Sequence, residues 1–128
     1  MMTRWASAGS ARDVIRQLGP GVEVHLAAAE GLPFEADAFD AALAQLVVHF
    51  MTDPVAGLAE MRRVTRPRGV VAACVWDFAG GGAPLSLFWE VARELDPGGV
   101  DESHLAGARS GHLAELLAAA GLREVEET

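Results

Sequence analysis

The feature that most constrains the fold is a helix signal between two short apolar runs. Residues 39–48 and 69–76 are nearly continuous apolar stretches that predict strands, and the first is typical of a strand buried on both faces of a sheet. Residues 53–66 separate them and have helical periodicity. A strand, a helix and a second strand in this order predict two adjacent parallel strands joined by a right-handed crossover.

Both ends of the predicted helix have clear local signals. Asp53 is a good N-cap, and Pro54 suits the first helical position because that position needs no N–H donor. Pro67 ends the helix, and Arg68-Gly69 turns the chain into the second strand. The side chains on the expected apolar stripe are Val55, Leu58, Met61 and Val64.

The rest of the chain continues the alternation. We predict a short helix at residues 10–18, a half-buried strand at 22–26 and a helix at 85–95. A last helix, capped by Ser110, covers residues 111–120, and the final strand covers residues 122–126. The apolar face predicted for the helix at 85–95 holds Leu85, Phe88, Trp89, Ala92 and Leu95. Alternating strands and helices indicate an α/β fold with a mainly parallel sheet, which binds ligands at the carboxyl ends of its strands.

Composition excludes several classes of function. The chain has 128 residues, 51% of them apolar, which suits one globular domain. Its net charge of −8 disfavours binding to nucleic acid or to anionic lipid. A single cysteine, Cys74, permits neither an intrachain disulfide nor a cysteine-based zinc site. No apolar stretch reaches the roughly 18–20 residues of a membrane span, so we expect a cytoplasmic protein.

Three segments, in this order and spacing, carry a resemblance to a known family. The first is AEGLPF with a following FDA, the second is LVVHF with a following DP and EMRRV, and the third is RPRGVV. They occupy residues 29–34 with 39–41, residues 46–50 with 53–54 and 60–64, and residues 66–71. Over residues 22–77 the chain resembles the class I S-adenosylmethionine-dependent methyltransferases, and in particular their type 11-like domain.

The resemblance implies an α/β, Rossmann-like methyltransferase fold that is incomplete, with the first two strands and the C-terminal hairpin missing or partial. Residues 1–128 would form one partial domain. In it, residues 1–21 are atypical, 22–77 match best and 78–128 form the acceptor side and C-terminal region. The implied function is transfer of a methyl group from S-adenosylmethionine to a small-molecule acceptor. The alternative is a non-catalytic truncated remnant or interaction module that does not bind the cofactor.

The chain also departs from the family pattern. It contains no glycine-rich turn of the form G-x-G-x-x-G or G-x-G-x-G, and no acidic residue that would hold the ribose hydroxyls. Ala28 stands where many relatives have an acidic residue. Arg68 replaces the first glycine of the family turn, which is tolerable if its φ is negative. We therefore expect the chain alone to bind S-adenosylmethionine weakly or not at all.

The resemblance implies cofactor contacts at Ala29, Glu30, Gln45 and Leu46. Glu30 has a second interpretation, a solvated loop carboxylate or a residue that orders its loop. The catalytic candidates are His49, as a base near the transfer site, and Asp77, as an acceptor contact. Ordinary alternatives are a loop histidine packed beside Phe50 and an Asp that caps its loop.

The remaining candidates have structural explanations. Cys74, in the middle of an apolar strand, is expected to be a buried, inert thiol. His104 and His112 lack a third ligand, so no metal site is predicted. His25 is expected on the solvent-exposed face of its strand. Four aromatic side chains would line either an apolar acceptor pocket or the core: Trp76, Phe78, Phe88 and Trp89.

An exposed strand edge would also promote self-association. Residues 39–48 carry only one charge, Asp40, and a nearly uncharged apolar edge is a template for pairing with another chain. We therefore expect a homodimer or a larger species formed through this edge.

Overall fold

The computed structural model of the protein describes residues 21–99 and 102–128. In chain order the elements are β1 (Phe39–Gln45), α1 (Pro54–Val64), β2 (Thr65–Cys74), α2 (Ser86–Leu95) and α3 (His112–Ala119). Short 3-10 turns at Val48–Phe50 and Glu102–His104 precede α1 and α3, respectively. The predicted helix at residues 10–18 lies outside the described residues.

The predicted parallel strand pair is confirmed. β1 and β2 lie side by side in parallel, with Ala41 opposite Val70 and Gln45 opposite Cys74. α1 connects them, which makes the unit a strand–helix–strand crossover. The register is irregular near the start, between Phe39 and Ala41. The carboxyl ends of both strands therefore meet at one edge of the sheet.

The capping chemistry at the ends of α1 explains why the helix forms here. The Asp53 carboxylate accepts a hydrogen bond from the backbone N–H of Ala56 at 3.0 Å, and Pro54 is the first helical residue, as predicted. At the other end the buried hydroxyl of Thr65 donates to the Met61 carbonyl at 2.7 Å. The helix ends at Val64, slightly earlier than predicted, because Thr65 already belongs to β2.

The core lies between one face of the sheet and the helices α1 and α3. Leu58 and Met61, from the predicted stripe of α1, are buried there, as is Leu117 from α3. The buried side chains that form this cluster are Ala44, Val48, Leu58, Met61, Leu117 and Ala120. Burying a side chain of the size of Leu58 stabilises the fold by roughly 1.5–3 kcal/mol.

No helix or strand in residues 21–99 and 102–128 covers the opposite face of the sheet, which corrects the prediction that the strand at residues 39–48 is buried on both faces. Exposure alternates along the strands, so that Leu43 is 76% exposed and Val70 is 60% exposed. Cys74 points to the same side and is exposed, not buried as predicted. Apolar side chains on both faces of a strand allow both faces to be buried, but burial requires other helices or strands that pack against each face.

The irregular part of β2, between Thr65 and Val70, contains the Arg68-Gly69 pair that was predicted to turn the chain into this strand. Arg68 has a φ of 66°, in the left-handed region that a non-glycine residue avoids, so the negative φ that would make arginine tolerable here is not present. The residue after Arg68 must be glycine because its backbone lies very close to β1. A Cβ at Gly69 would lie 2.6 Å from the Asp40 carbonyl oxygen, so only glycine fits this close approach to β1.

Two predicted strands are wrong. Residues 22–26 have no regular structure and are exposed, since no strand is present beside them in the described part of the chain. Residues 122–126 also form no strand. A cleft of about 690 Å³ separates the C-terminal residues 125–128 from the free edge of β2. The Glu127 carboxylate instead accepts a hydrogen bond from the Gly111 N–H at 2.9 Å, at the start of α3.

The last two helices form close to their predicted positions, but two details differ. No residue of α2 is buried, so its predicted apolar face is not part of the core. Ser110 does not cap α3. Gly111 occupies the N-cap position, with a φ of 80° and no side-chain cap.

Candidate functional site

The carboxyl edge of the two strands brings together most of the candidate site residues. Gln45 is exposed at the end of β1, and the Leu46 N–H donates to the Cys74 carbonyl at 2.9 Å. Leu46 has a φ of 55°, which turns the chain away from the sheet at this point. On the neighbouring strand, Trp76 and Asp77 follow the end of β2.

The loop at residues 29–34, which resembles the adenine-side loop of the family, is held by two charged side chains of α1. The Leu32 N–H donates to the Glu60 carboxylate at 2.9 Å. The Arg63 guanidinium donates to the carbonyls of Phe34 at 2.9 Å and Leu32 at 3.1 Å. Glu60 and Arg63 also pair with each other at 2.6 Å. These two side chains, hereafter the loop clamp, satisfy backbone groups that a coil segment would otherwise leave to water.

The contacts of the loop clamp shift the pKa values of both of its side chains. The pKa of Glu60 is lowered from an ordinary value of 4.5 to about 2, first by the hydrogen bond from Arg63 and then by the bond from the Leu32 N–H. The same pairing raises the pKa of Arg63. The Glu60 side chain is 20% exposed and that of Arg63 is 38% exposed, so water still screens part of this attraction.

Glu30 holds the loop to the start of α1 rather than extending into solvent. Its carboxylate accepts a hydrogen bond from the Asp53 N–H at 3.0 Å. This bond is the main cause of the lowered pKa of Glu30, although burial opposes it. The carboxylate is thus engaged at the N-terminal end of α1, where negative charge is stabilised. This arrangement corresponds to the interpretation in which Glu30 orders its loop.

Ala29 packs close to the first turn of α1. A Cβ placed on Gly57 would lie 3.4 Å from the Ala29 Cβ, which is ordinary van der Waals contact, and 2.5 Å from the sulfur of the flexible Met51 side chain. Ala29 and Glu30 therefore border α1, whereas Gln45 and Leu46 border β2. Within the described residues, no hydrogen bond joins the two pairs.

His49 lies beside the end of β2. Its ring is buried, 6% exposed, and both of its nitrogens have backbone partners. Nδ1 is 2.7 Å from the Ala106 carbonyl oxygen, and Nε2 is 3.0 Å from the Trp76 nitrogen. To act as a base in this arrangement, the ring would have to give up the bond from Trp76. The predicted packing beside Phe50 is also present, with ring centroids 6.0 Å apart.

Asp77 caps its own loop. Its carboxylate accepts a hydrogen bond from the Gly80 N–H at 2.7 Å, and a Cβ at Gly80 would collide with that carboxylate. This geometry agrees with the loop-capping alternative. His49 and Asp77 are thus brought to the same strand end, but their side chains bind backbone groups and not each other.

The aromatic candidates divide between two places. The Phe78 ring packs beside His49, with centroids 5.3 Å apart, whereas Phe88 and Trp89 contact each other on α2 at 5.0 Å. The Trp89 indole donates to Glu102 at 3.0 Å and borders a cavity of about 200 Å³ next to the loop at residues 78–81. Neither this cavity nor the cleft beside β2 is lined by the four predicted cofactor residues.

Residues 21–99 and 102–128 contain neither a metal-binding cluster nor a membrane-spanning helix. No three histidine, cysteine or acidic side chains in these ranges are grouped so that they would hold a metal ion. No helix in the same ranges is long and apolar enough to cross a membrane.

Sequence reasoning missed the loop clamp. Its signal was an acidic and a basic residue three positions apart on the helix that follows the loop, a spacing typical of any exposed ion pair. Only the folded arrangement shows that the same two side chains bind the loop backbone 28 to 31 residues away.

The fold and this edge of the sheet define a class of protein, and comparisons with known proteins identify it. Residues 2–73 match the family described as Methyltransferase domain. Demethylmenaquinone methyltransferases of Mycobacterium sp. strains KMS and JLS are 37% identical over 91 residues, which is 71% of this chain and 36% of each relative. A solved S-adenosylmethionine-dependent methyltransferase from Thermotoga maritima, described as a possible histamine N-methyltransferase, superposes with a TM-score of 0.62. It is 26% identical, and the match covers 88% of this chain and 50% of that one.

The chain belongs to the class I S-adenosylmethionine-dependent methyltransferase family. Its α/β structure, with a parallel strand pair, is a partial Rossmann-like methyltransferase fold, as the resemblance implied. It spans about one third of the length of the curated relatives and half of the solved structure. The family match begins at residue 2, so it includes residues that we had set apart as an atypical N-terminal segment.

Proposed function

We propose that this chain carries one flank of a methyltransferase active site, which uses S-adenosylmethionine to methylate a small-molecule acceptor. The observation that carries this proposal is the clamped loop at residues 29–34. In a member of this family, Glu30 holds the start of this loop to Asp53, where α1 begins after the carboxyl end of β1. Glu60 and Arg63 fix the rest of the loop further along α1. Open α/β sheets bind their ligands at the carboxyl ends of their strands.

The residues present fit one side of the cofactor. Ala28 is small and exposed and Ala29 is small and half-buried, which leaves room for an aromatic ring near a fixed backbone. Gln45 is exposed at the end of β1, and its amide has both donors and an acceptor to offer. We propose that Ala29, Gln45 and Leu46 line the cofactor and that Glu30 acts by holding the loop to α1.

The contribution of these residues to the reaction would be positioning. The cofactor, when bound, supplies an activated methyl group for direct transfer. A fixed loop and a fixed strand end hold the two reactants in line, and such orientation lowers a barrier without a strong base. Both ring nitrogens of His49 are already engaged with backbone groups, which agrees with this mechanism.

The acceptor is proposed from relatives and from surface chemistry. The named relatives act on demethylmenaquinone, and the solved structure is described as acting on histamine; both are small molecules that contain a ring. Near the strand ends of this chain, Phe50 and Trp76 are part-exposed aromatic residues that would pack against a planar acceptor.

Saturation-transfer NMR with S-adenosylhomocysteine, the unreactive product form of the cofactor, tests the proposal because it detects weak binding. We expect transfer from the wild-type chain, strongest at the adenine protons, and much less from Glu60→Gln. The matched control is Glu115→Gln, which alters another Glu–Arg pair, 2.7 Å from Arg109, that does not touch the loop. No transfer at millimolar ligand would favour the non-catalytic alternative, and equal transfer from Glu60→Gln would refute the role of the clamped loop in binding.

A further inference from the structure

The buried ring of His49 joins three segments that are far apart in the sequence. Its Nδ1 partner, Ala106, is 57 residues away, and its Nε2 partner, Trp76, is 27 residues away. The ring is 6% exposed and packs beside Phe50 and Phe78, with centroids 6.0 Å and 5.3 Å from its own. Both polar atoms of the side chain are therefore used, and both partners are backbone groups.

These partners define the protonation state of the ring. A carbonyl oxygen only accepts, so the hydrogen of the neutral imidazole must be on Nδ1, which faces Ala106. A backbone N–H only donates, so Nε2 must present its lone pair to Trp76. An imidazolium would carry a hydrogen on Nε2 as well, and two donors would then face each other at Trp76.

The ring lies where the two strands separate. The last ladder pair is Gln45 with Cys74, and the bond from Leu46 to Cys74 is the last backbone contact between these strands. Beyond it, His49 spans the gap from the turn after β1 to Trp76 after β2. The Ala106 end of this bridge continues to α3, because the Gly107 N–H donates to His112 Nδ1 at 3.1 Å.

We propose that His49 is a positioning residue whose neutral imidazole sets the spacing between the two strand ends. This inference rests on the proposed function of this edge. The ring fixes the acceptor-side residues 77–82 relative to Gln45 and Leu46 on the cofactor side. The residue thus acts through the backbone it holds, not by taking a proton from the acceptor.

Three variants separate this role from general packing. His49→Phe keeps a ring and loses both hydrogen bonds. His49→Asn keeps a donor near Nδ1 but cannot reach Trp76. The control is His25→Phe, the same substitution at a more exposed ring that contacts Phe34 at 4.9 Å.

The first readout is the nitrogen spectrum of the wild-type imidazole together with backbone amide spectra. We expect Nδ1 of His49 to be protonated and Nε2 to be unprotonated at neutral pH. In both His49 variants the Trp76 amide should exchange at least about tenfold faster, since a lost bond of this kind costs on the order of a factor of ten. Amide signals should shift at residues 45–46 and 77–79 together, and His25→Phe should shift neither.

The proposal is overturned if Nε2 carries the hydrogen in the wild-type chain. It is also overturned if His49→Asn, with an unchanged circular dichroism spectrum, leaves the signals of residues 45–46 and 77–79 in place. Should His49→Phe fail to fold, the Asn variant and the wild-type nitrogen spectrum still decide.

Ligand binding, measured in the same samples, separates this inference from the proposed function. If the wild-type chain does not bind S-adenosylhomocysteine but the His49 variants show all the expected shifts, the proposed function is refuted and the positioning role of His49 is supported. A wild-type chain that binds, with His49→Asn binding equally well, supports the proposed function and refutes the positioning role.

Discussion

Replacing Glu60 by Gln removes the negative charge of the loop clamp while keeping the size of the side chain. The amide oxygen of the new residue still accepts a bond from the Leu32 N–H, so the main loss is the charged pairing with Arg63. Because the clamp holds the loop at residues 29–34, we expect both global stability and local protection of this loop to fall.

The size of the effect follows from the Glu60 pKa. A drop from 4.5 to about 2 corresponds to at most roughly 3 kcal/mol of stabilisation in the folded state. The Arg63 side chain is 38% exposed, so solvent screening reduces this value. We expect Glu60→Gln to lower the free energy of unfolding by about 1–2 kcal/mol at pH 7.

The pH dependence has a defined sign. The folded-state pKa of Glu60 lies below its ordinary value, so the unfolded chain binds the proton more readily. The stabilisation is complete above about pH 4.5 and is lost as the pH falls from there towards about 2. The difference between the wild-type chain and Glu60→Gln should therefore shrink across this window.

Urea unfolding at several pH values, followed by circular dichroism, measures this difference. Hydrogen exchange at the Leu32 amide gives the local effect, which should be faster in Glu60→Gln and unchanged in the control Glu115→Gln. The reasoning is refuted if the two variants are equally stable at pH 7, or if the loss in Glu60→Gln persists undiminished down to pH 3.

Four further predictions follow from the fold. Arg68→Gly should stabilise the chain by roughly 0.5–1 kcal/mol because it relieves a left-handed φ. Gly69→Ala should destabilise the chain by about 1–3 kcal/mol because the added Cβ clashes with β1. Urea unfolding that gives the opposite order of stability contradicts both. Asp53→Ala should cost about 1 kcal/mol through loss of the N-cap, with Asp53→Asn retaining most of the stability. Cys74 should react with a thiol reagent in the native chain, and labelling only after denaturation would show that its face of the sheet is covered. Sedimentation at micromolar concentration should show a dimer or larger species, because a bare apolar sheet surface attracts a second copy; a clean monomer would refute this.

The sequence was sufficient for the central strand–helix–strand unit because the signals there are local. Asp53 and Pro54 define the start of α1 through bonds made within one helical turn, and the apolar stripe of α1 faces the core wherever the sheet lies. The meeting of the two strand ends at one edge of the sheet follows in the same way, since parallel strands place their carboxyl ends together. These features need no knowledge of distant residues.

What the sequence did not predict depends on contacts between distant segments. Glu60 and Arg63 have the spacing of any exposed ion pair on a helix, and only the folded chain brings Leu32 and Phe34 to them. Burial of Cys74 was predicted from an apolar run, but such a run does not say whether another element covers it. The two bonds of His49 likewise join residues that no local pattern links.

The central claim, that the carboxyl edge beside the clamped loop is a cofactor site, is tested most directly by a protein-observed titration. Backbone amide spectra of the labelled chain would be recorded with increasing S-adenosylhomocysteine. We predict progressive shifts at Ala29, Glu30, Gln45 and Leu46. The binding should be weaker than a micromolar dissociation constant, which corresponds to about −8 kcal/mol, because these residues supply only one flank of a site. Shifts confined to the cleft along the free edge of β2, or no shifts at millimolar ligand, would contradict the claim.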